Sequence, residues 1–264
     1  MCRTCGCSAR DGAHRHDHGD TPGRVHARAR AGVQEQAHPP GGPPRALRFE
    51  IDLLAKNDRL AVGTRRWLED QGILAVNLIG APGAGKTALL EETARRLGAE
   101  ITISVLEGDQ ATDHDAARVR AVGCPVLQIN TGAGCHLDAS MIKEALPKLA
   151  PPRGSLLFVE NVGNLVCPAL FDLGERAKVV VMSVTEGEDK PLKYPHVFRA
   201  SEAVVLTKID LLPHLDVDVE RCLANVRRAN PGLRVFPLSA TTGEGVGDWC
   251  EWLRAQAEGA SASS

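Results

Sequence analysis

Gly80-Ala81-Pro82-Gly83-Ala84-Gly85-Lys86-Thr87 is the stretch that decides the fold. It matches the pattern G-x-x-x-x-G-K-[ST], follows a short apolar run at 75–79, and opens a helical pattern at 87–97. Read outward, it is a strand, a phosphate-cradling turn and a helix. Gly80, Gly83 and Gly85 let backbone N–H groups turn inward around phosphate oxygens. The helix N-terminus adds the positive end of its dipole. In this arrangement Lys86 reaches the β- and γ-phosphates and the Thr87 hydroxyl is a ligand for Mg2+.

On either side of this unit strands and helices alternate. Helical spacing covers 46–71, where Gly72 is a natural stop, and recurs at 113–122, 138–149, 220–230 and 246–256. Uninterrupted aliphatic runs at 101–106, 126–129, 156–160, 179–184, 203–207 and 234–238 read as buried strands. Aliphatic strands alternating with helices predict a P-loop α/β domain, a mainly parallel sheet covered by helices on both faces. Residues 1–45 stand apart. They hold only Val25 and Val33 as branched aliphatics, no Phe, Tyr or Trp, and much Gly, Pro, Arg and His. Such a segment buries too little apolar surface to offset its chain entropy, so it reads as a disordered Cys/His-rich arm. The expected organisation is an arm over 1–45, a nucleotide-binding domain over 46–258 and a frayed tail over 259–264.

Composition narrows the function. The 264 residues carry 31 Lys and Arg against 33 Asp and Glu, a formal net charge of −2. No global basic field favours nucleic acid or an anionic membrane. No run approaches the ~18 apolar residues that span a bilayer, and the N-terminus lacks the apolar core of a secretory signal. The expectation is a cytoplasmic protein with neither a nucleic-acid nor a membrane partner. In that reducing compartment the eight cysteines are metal ligands or buried thiols rather than a disulfide framework.

Three later signals bear on the nucleotide. Thr207-Lys208-Ile209-Asp210 follows an apolar strand and resembles the N-K-x-D base-recognition motif of GTPases. Asp210 is placed to accept two hydrogen bonds from guanine N1 and N2, a pair that adenine does not offer. Lys208 lies along the base. Ser239-Ala240 follows the next strand, where a backbone N–H contacts guanine O6. Thr207 replaces the usual Asn, and its hydroxyl ties the loop to the phosphate cradle with fewer bonds than an amide. GTP is therefore favoured over ATP. Glu160 ends a buried strand where an acid supports Mg2+ and the attacking water, and Gly163 completes a D-x-x-G-like spacing whose N–H senses the γ-phosphate. Asp109, in Glu107-Gly108-Asp109, is either a carboxylate standing behind the Mg2+ ligands or a group that orients the water.

Metal-binding residue types are concentrated at the start of the chain. Cys2, Cys5 and Cys7 form C-x-x-C-x-C, which, with the Cys2 α-amine if Met1 is removed, makes an N/S donor set suited to Ni2+ or Zn2+. His14, His16, His18, His26 and His38 follow as a looser tract. Cys135-His136 and Cys167 each lie in a loop after a predicted strand, on the sheet edge that carries the phosphate cradle. Cys124, Cys222 and Cys250 read as buried apolar thiols.

Taken together, Cys2/Cys5/Cys7, the segments 80–87, 107–109, 130–138 and 183–191, and Glu160-Asn161-Val162-Gly163-Asn164-Leu165-Val166-Cys167-Pro168 resemble the HypB family. These are GTPases that help insert nickel into [NiFe] hydrogenase. The resemblance covers about 46–255 and the first seven residues. It implies a SIMIBI-class domain that hydrolyses GTP slowly to GDP and phosphate and forms a homodimer in response to nucleotide and metal. It implies a high-affinity nickel site from Cys2, Cys5 and Cys7. A second nickel or zinc site, from Cys135, His136 and Cys167, is implied at the dimer interface beside the switch regions. The implied partners are a HypA-type metallochaperone and the hydrogenase large-subunit precursor. Two other readings remain at this stage: a delivery GTPase for another nickel enzyme such as urease, and a nickel store built on the His-rich arm.

Overall fold

Seven strands, β1 (Leu74–Ile79), β2 (Ile103–Asp109), β3 (Val126–Asn130), β4 (Leu156–Glu160), β5 (Ala177–Ser183), β6 (Ala203–Thr207) and β7 (Arg234–Pro237), form one sheet. Their order is β3-β2-β4-β1-β5-β6-β7, and every adjacent pair is parallel. The computed structural model describes residues 45–109, 114–132 and 134–261. Cys2, Cys5, Cys7 and the histidine tract lie outside the described residues.

The long helices are α1 (Arg45–Asp70), α2 (Lys86–Leu97), α3 (His114–Ala121), α4 (Ala139–Leu149), α8 (Val219–Ala229) and α9 (Val246–Ser261). Period-two alternation in β1 divides the layers. Leu74, Val76 and Leu78 face one side with Leu89 and Leu90 of α2 and Trp249 and Leu253 of α9. Ala75 and Ile79 face the other side. Ala75 shares a cluster with Leu68 of α1 and Ile142 of α4, and Ile79 shares one with Cys222 and Val226 of α8. Each fully buried Leu or Ile contributes roughly 1.5–3 kcal/mol through burial. With both faces covered, β1, β4 and β6 are buried along their whole length, as their unbroken aliphatic runs require.

Local signals set several ends. Gly72 adopts φ 63° just after α1, so the helix stops where the sequence places its breaker. Asp138 caps α4 by accepting from the Met141 N–H at 2.9 Å. The differences are instructive. β2 runs to Asp109 rather than ending at Leu106, because pairing with β3 continues from Val105↔Val126 to Asp109↔Asn130 and carries polar residues into the ladder. α9 continues to Ser261 and takes in the first three residues of the expected tail. Three short helices were not foreseen: α5 (Cys167–Leu170), α6 (Lys190–Lys193) and α7 (Pro195–Arg199). Each has a proline in its first turn, a start signal that is easily overlooked in so short a segment. Cys124, Cys222 and Cys250 are buried, and burial pushes each thiol pKa up.

Candidate nucleotide cleft and metal cluster

Because all strands run the same way, their C-terminal ends share one edge, and the loops leaving them meet there. Gly85 adopts φ 96° before α2, a left-handed conformation that a side chain would strain. That turn delivers Lys86 and Thr87 into a cleft of about 710 Å3, together with Glu107, Asp115, Arg118 and Glu160. Lys86 Nζ donates to the carbonyls of Gly80 at 3.2 Å and Ala81 at 3.3 Å. Burial lowers its pKa, with the Glu160 charge pulling the other way. Thr87 Oγ1 donates to Glu160 Oε1 at 3.0 Å.

Glu160 is the electrostatic centre of the cleft. Burial pushes its pKa up to about 7, against the opposing charge of Lys86 and the Thr87 bond. Its Oε2 is buried and has no hydrogen-bond partner among the described residues. A hydroxyl beside a buried carboxylate with an unmatched oxygen is an oxygen donor set suited to a hard divalent cation. Thr87 and Glu160 therefore fit Mg2+. Asp109 ends β2, and its side chain lies outside the described residues.

The base side is tied to the phosphate side. Thr207 Oγ1 donates to the Ala84 carbonyl at 2.6 Å and makes a longer contact with the Met182 carbonyl at 3.3 Å. Lys208 Nζ donates to the Gly83 carbonyl at 2.7 Å. Asp210 lines a neighbouring cavity of about 230 Å3 with Thr207, Lys208 and Ala240. Ser239 acts as scaffold here: its Oγ accepts from the N–H groups of Thr241 and Thr242, and its own N–H donates to the Glu244 carbonyl. Of the two residues read as contacting the base, Ala240 is the one that lines the cavity.

Across the cleft, Cys135, His136 and Cys167 come together, with their ligand atoms all within 4.8 Å of one another. The two Sγ atoms are 3.3 Å apart, too far for the ~2.05 Å of a disulfide and close enough for one ion. Cys135 Sγ is 3.6 Å from His136 Nδ1. The imidazole lies against Phe171, with ring centroids 4.0 Å apart, and burial lowers its pKa while Asp138 raises it. A neutral imidazole and two sulfurs suit nickel or zinc. Cys135, Gly163 and Asn164 also line the nucleotide cleft, and Asn164 Nδ2 donates to the Cys135 carbonyl at 3.2 Å. Gly163 approaches the phosphate cradle so closely that a Cβ there would meet Pro82 Cγ at 2.6 Å.

Other residues of the site had no role of their own assigned from the sequence. Glu107 pairs in register with Glu160 across β2 and β4, a neighbour relation that only the sheet creates. Arg118 reaches the cleft wall on α3, held by both carboxylate oxygens of Glu91 at 3.0 and 2.9 Å. Lys190, paired with Glu186, has its pKa lowered by burial and by the Lys86 charge. The segment 183–191 was legible as a motif, but nothing in it gave Lys190 a role.

Fold and site define a P-loop nucleotide-binding protein of the GTPase-like class, with a cluster of two cysteines and an imidazole built onto its cleft. Residues 74–237 match the family described as CobW/HypB/UreG, nucleotide-binding domain. The chain is 56% identical to the hydrogenase maturation factor HypB of Azotobacter vinelandii, over 84% of this chain and 73% of that protein. It is 54% identical to that of Escherichia coli K12, over 83% and 76%. The crystal structure of HypB from Archaeoglobus fulgidus aligns with a TM-score of 0.72 at 42% identity, covering 77% of this chain and 99% of that one. HypB from Helicobacter pylori in complex with nickel aligns with a TM-score of 0.72 at 34% identity, covering 77% and 95%. The chain belongs to the HypB family of hydrogenase maturation factors.

Proposed function

We propose that the chain is a GTP-hydrolysing metal switch that handles nickel during assembly of [NiFe] hydrogenase. The observation that carries this reading is that one segment serves both sites. It begins at Glu160 beside Thr87, passes Gly163 against the phosphate cradle, and reaches Cys167, 3.3 Å from Cys135. The relatives named hydrogenase maturation factors, and the nickel in the Helicobacter pylori structure, support nickel as the cargo.

The chain's residues divide the work. Asp210, with the Ala240 N–H, selects guanine, and Lys208 braces the base loop on Gly83. Gly80, Gly83 and Gly85 shape the cradle, and Lys86 leaves the Gly80 and Ala81 carbonyls for the β- and γ-phosphates. Thr87 and Glu160 would hold Mg2+, with Asp109 either standing behind these ligands or orienting the attacking water. Held there, Mg2+ would supply positive charge to the phosphate oxygens as the bond to the γ-phosphorus breaks. Gly163 senses the γ-phosphate through its N–H. Cys135, His136 and Cys167 form a nickel or zinc site whose third ligand moves with that sensor, and Cys2, Cys5 and Cys7 form a separate tight nickel site.

The same reading covers the assembly. Residues 46–258 act as the G domain and 1–45 as a metal-binding arm. A homodimer closes with nucleotide and metal, and a HypA-type metallochaperone and the hydrogenase large-subunit precursor are its partners in the cytoplasm, where the thiols stay reduced. No helix among the described residues is long and apolar enough to cross a membrane.

Two measurements test the function. A deletion strain should lose hydrogenase activity and regain it with added nickel. A strain unaffected by the deletion rejects the delivery role. With residues 1–45 removed, so that the arm site does not report, nickel titration of the GDP-bound protein and of the protein with a non-hydrolysable GTP analogue should give affinities that differ ~5–150-fold, the range of ordinary coupling. Cys167→Ala should abolish that difference. Equal affinities with Cys167 intact reject nucleotide-gated release.

A further inference from the structure

Asn77 is the only polar residue in β1, Leu74-Ala75-Val76-Asn77-Leu78-Ile79, and it is fully buried. It sits between Ala75 and Ile79 on the face where two apolar clusters meet. Its side-chain amide makes two bonds. Asn77 Oδ1 accepts from Asn161 Nδ2 at 3.3 Å, and Asn77 Nδ2 donates to Glu175 Oε1 at 3.1 Å. Asn161 opens, and Glu175 closes, the segment that carries Gly163 and Cys167.

Each end is then joined to the metal cluster. Asn161 Oδ1 accepts from the N–H of Val162 at 3.0 Å and from that of Leu137 at 3.3 Å, and Leu137 directly follows His136. The second oxygen of Glu175 accepts from the Leu173 N–H at 2.7 Å, two residues after Phe171, whose ring lies against His136. One buried amide, three residues before Gly80, thus holds both ends of the segment and reaches the Cys135-His136 half through Asn161. Packed apolar side chains of similar volume would stabilise this seam at least as well. A connected set of directional hydrogen bonds fixes relative position in a way that apolar packing does not.

We propose that Asn77 is a positioning residue of the switch: through Asn161 and Glu175 it holds the segment 161–175, so that displacement at Gly163 is delivered to Cys167 rather than lost in the loop. This rests on the nucleotide-gated reading of the metal site given above. Asn77 touches neither nucleotide nor metal and acts only through its two partners.

The test uses the full chain with Cys2, Cys5 and Cys7 each replaced by Ala, which leaves the Cys135/His136/Cys167 site to report. Ni2+ is titrated by its thiolate charge-transfer absorption, with GDP bound and with a non-hydrolysable GTP analogue bound. In this background the two affinities should differ, as the gated reading requires. Asn77→Ser removes both relay bonds, and the ratio of affinities should fall by roughly two- to thirtyfold towards one, with GDP affinity unchanged. Glu175→Gln keeps the volume and exchanges one acceptor for a donor, and it should lower the ratio in the same direction. Thermal unfolding identifies folded variants, and if Asn77→Ser does not fold, Glu175→Gln decides alone. Folded variants that keep the background ratio overturn the positioning role and leave nucleotide gating standing. A background ratio of one removes the gating, and this inference falls with it.

Discussion

The two walls of the cleft are built differently. On the base side the loops are tied down by short bonds to the phosphate cradle: Thr207 to Ala84 at 2.6 Å and Lys208 to Gly83 at 2.7 Å, with Ser239 closing its own turn. On the metal side β4 ends in a buried, incompletely matched carboxylate at Glu160, and the segment after it carries the half-exposed Cys167. It is held by side-chain amides, Asn161 and Asn164, that reach across to the other metal loop. A wall that only recognises benefits from being preorganised. A wall that must report the γ-phosphate has to keep interactions that change when the ligand does.

That contrast can be broken most severely at Lys86, in the phosphate cradle that Lys208 and Gly163 approach from the two sides. Lys86→Ala should lower GTP hydrolysis by at least ~10²–10³-fold, the scale for removing one charge-stabilising donor, while the thiolate cluster still takes up nickel. Phosphate release measures the first and metal titration the second. Undiminished hydrolysis rejects this cleft as the reaction site.

The metal-side wall should show its stored charge as a dependence of stability on pH. Burial pushes the Glu160 carboxyl up to about 7 in the folded protein against an ordinary value of 4.5. Between those values the folded protein holds the proton more firmly than the unfolded chain does. Its contribution is complete below pH 4.5 and is lost as pH rises through 7, an amount of roughly 3 kcal/mol. Protein free of magnesium and nucleotide should lose unfolding free energy across that window, and Glu160→Gln should flatten the slope. An unchanged slope in denaturant titrations would falsify the assignment.

The base-side wall predicts smaller, more selective effects. Asp210→Asn exchanges one acceptor for a donor, which suits xanthine better than guanine. GTP affinity should fall about ten- to a hundredfold, and xanthosine triphosphate affinity should rise. Equal competition by ATP in the unmutated protein would show that Asp210 does not read guanine. Thr207→Val keeps the shape and removes the donor to Ala84, and it should cost ~1 kcal/mol of stability with hydrolysis still measurable. A variant as stable as the parent would mean that the tie between the walls is not energetically significant.

The sequence by itself determined the phosphate cradle, the seven strands and the order in which the motifs follow one another. These are local matters: glycines that permit a turn, aliphatic runs that demand burial on both faces, Asp138 at a helix start. Family resemblance assembled Cys135, His136 and Cys167 into one site, and the folded chain places their ligand atoms within 4.8 Å. What only the tertiary structure decided is who stands beside whom. Glu107 became the neighbour of Glu160 through strand register, Lys190 came within reach of the Lys86 charge, and Asn77 met Asn161 and Glu175 across separations of 84 and 98 residues. Local propensity cannot encode such pairings, because each depends on strand order and on the depth at which water is excluded. A buried asparagine in an aliphatic strand looks like an imperfection until its two partners are in view.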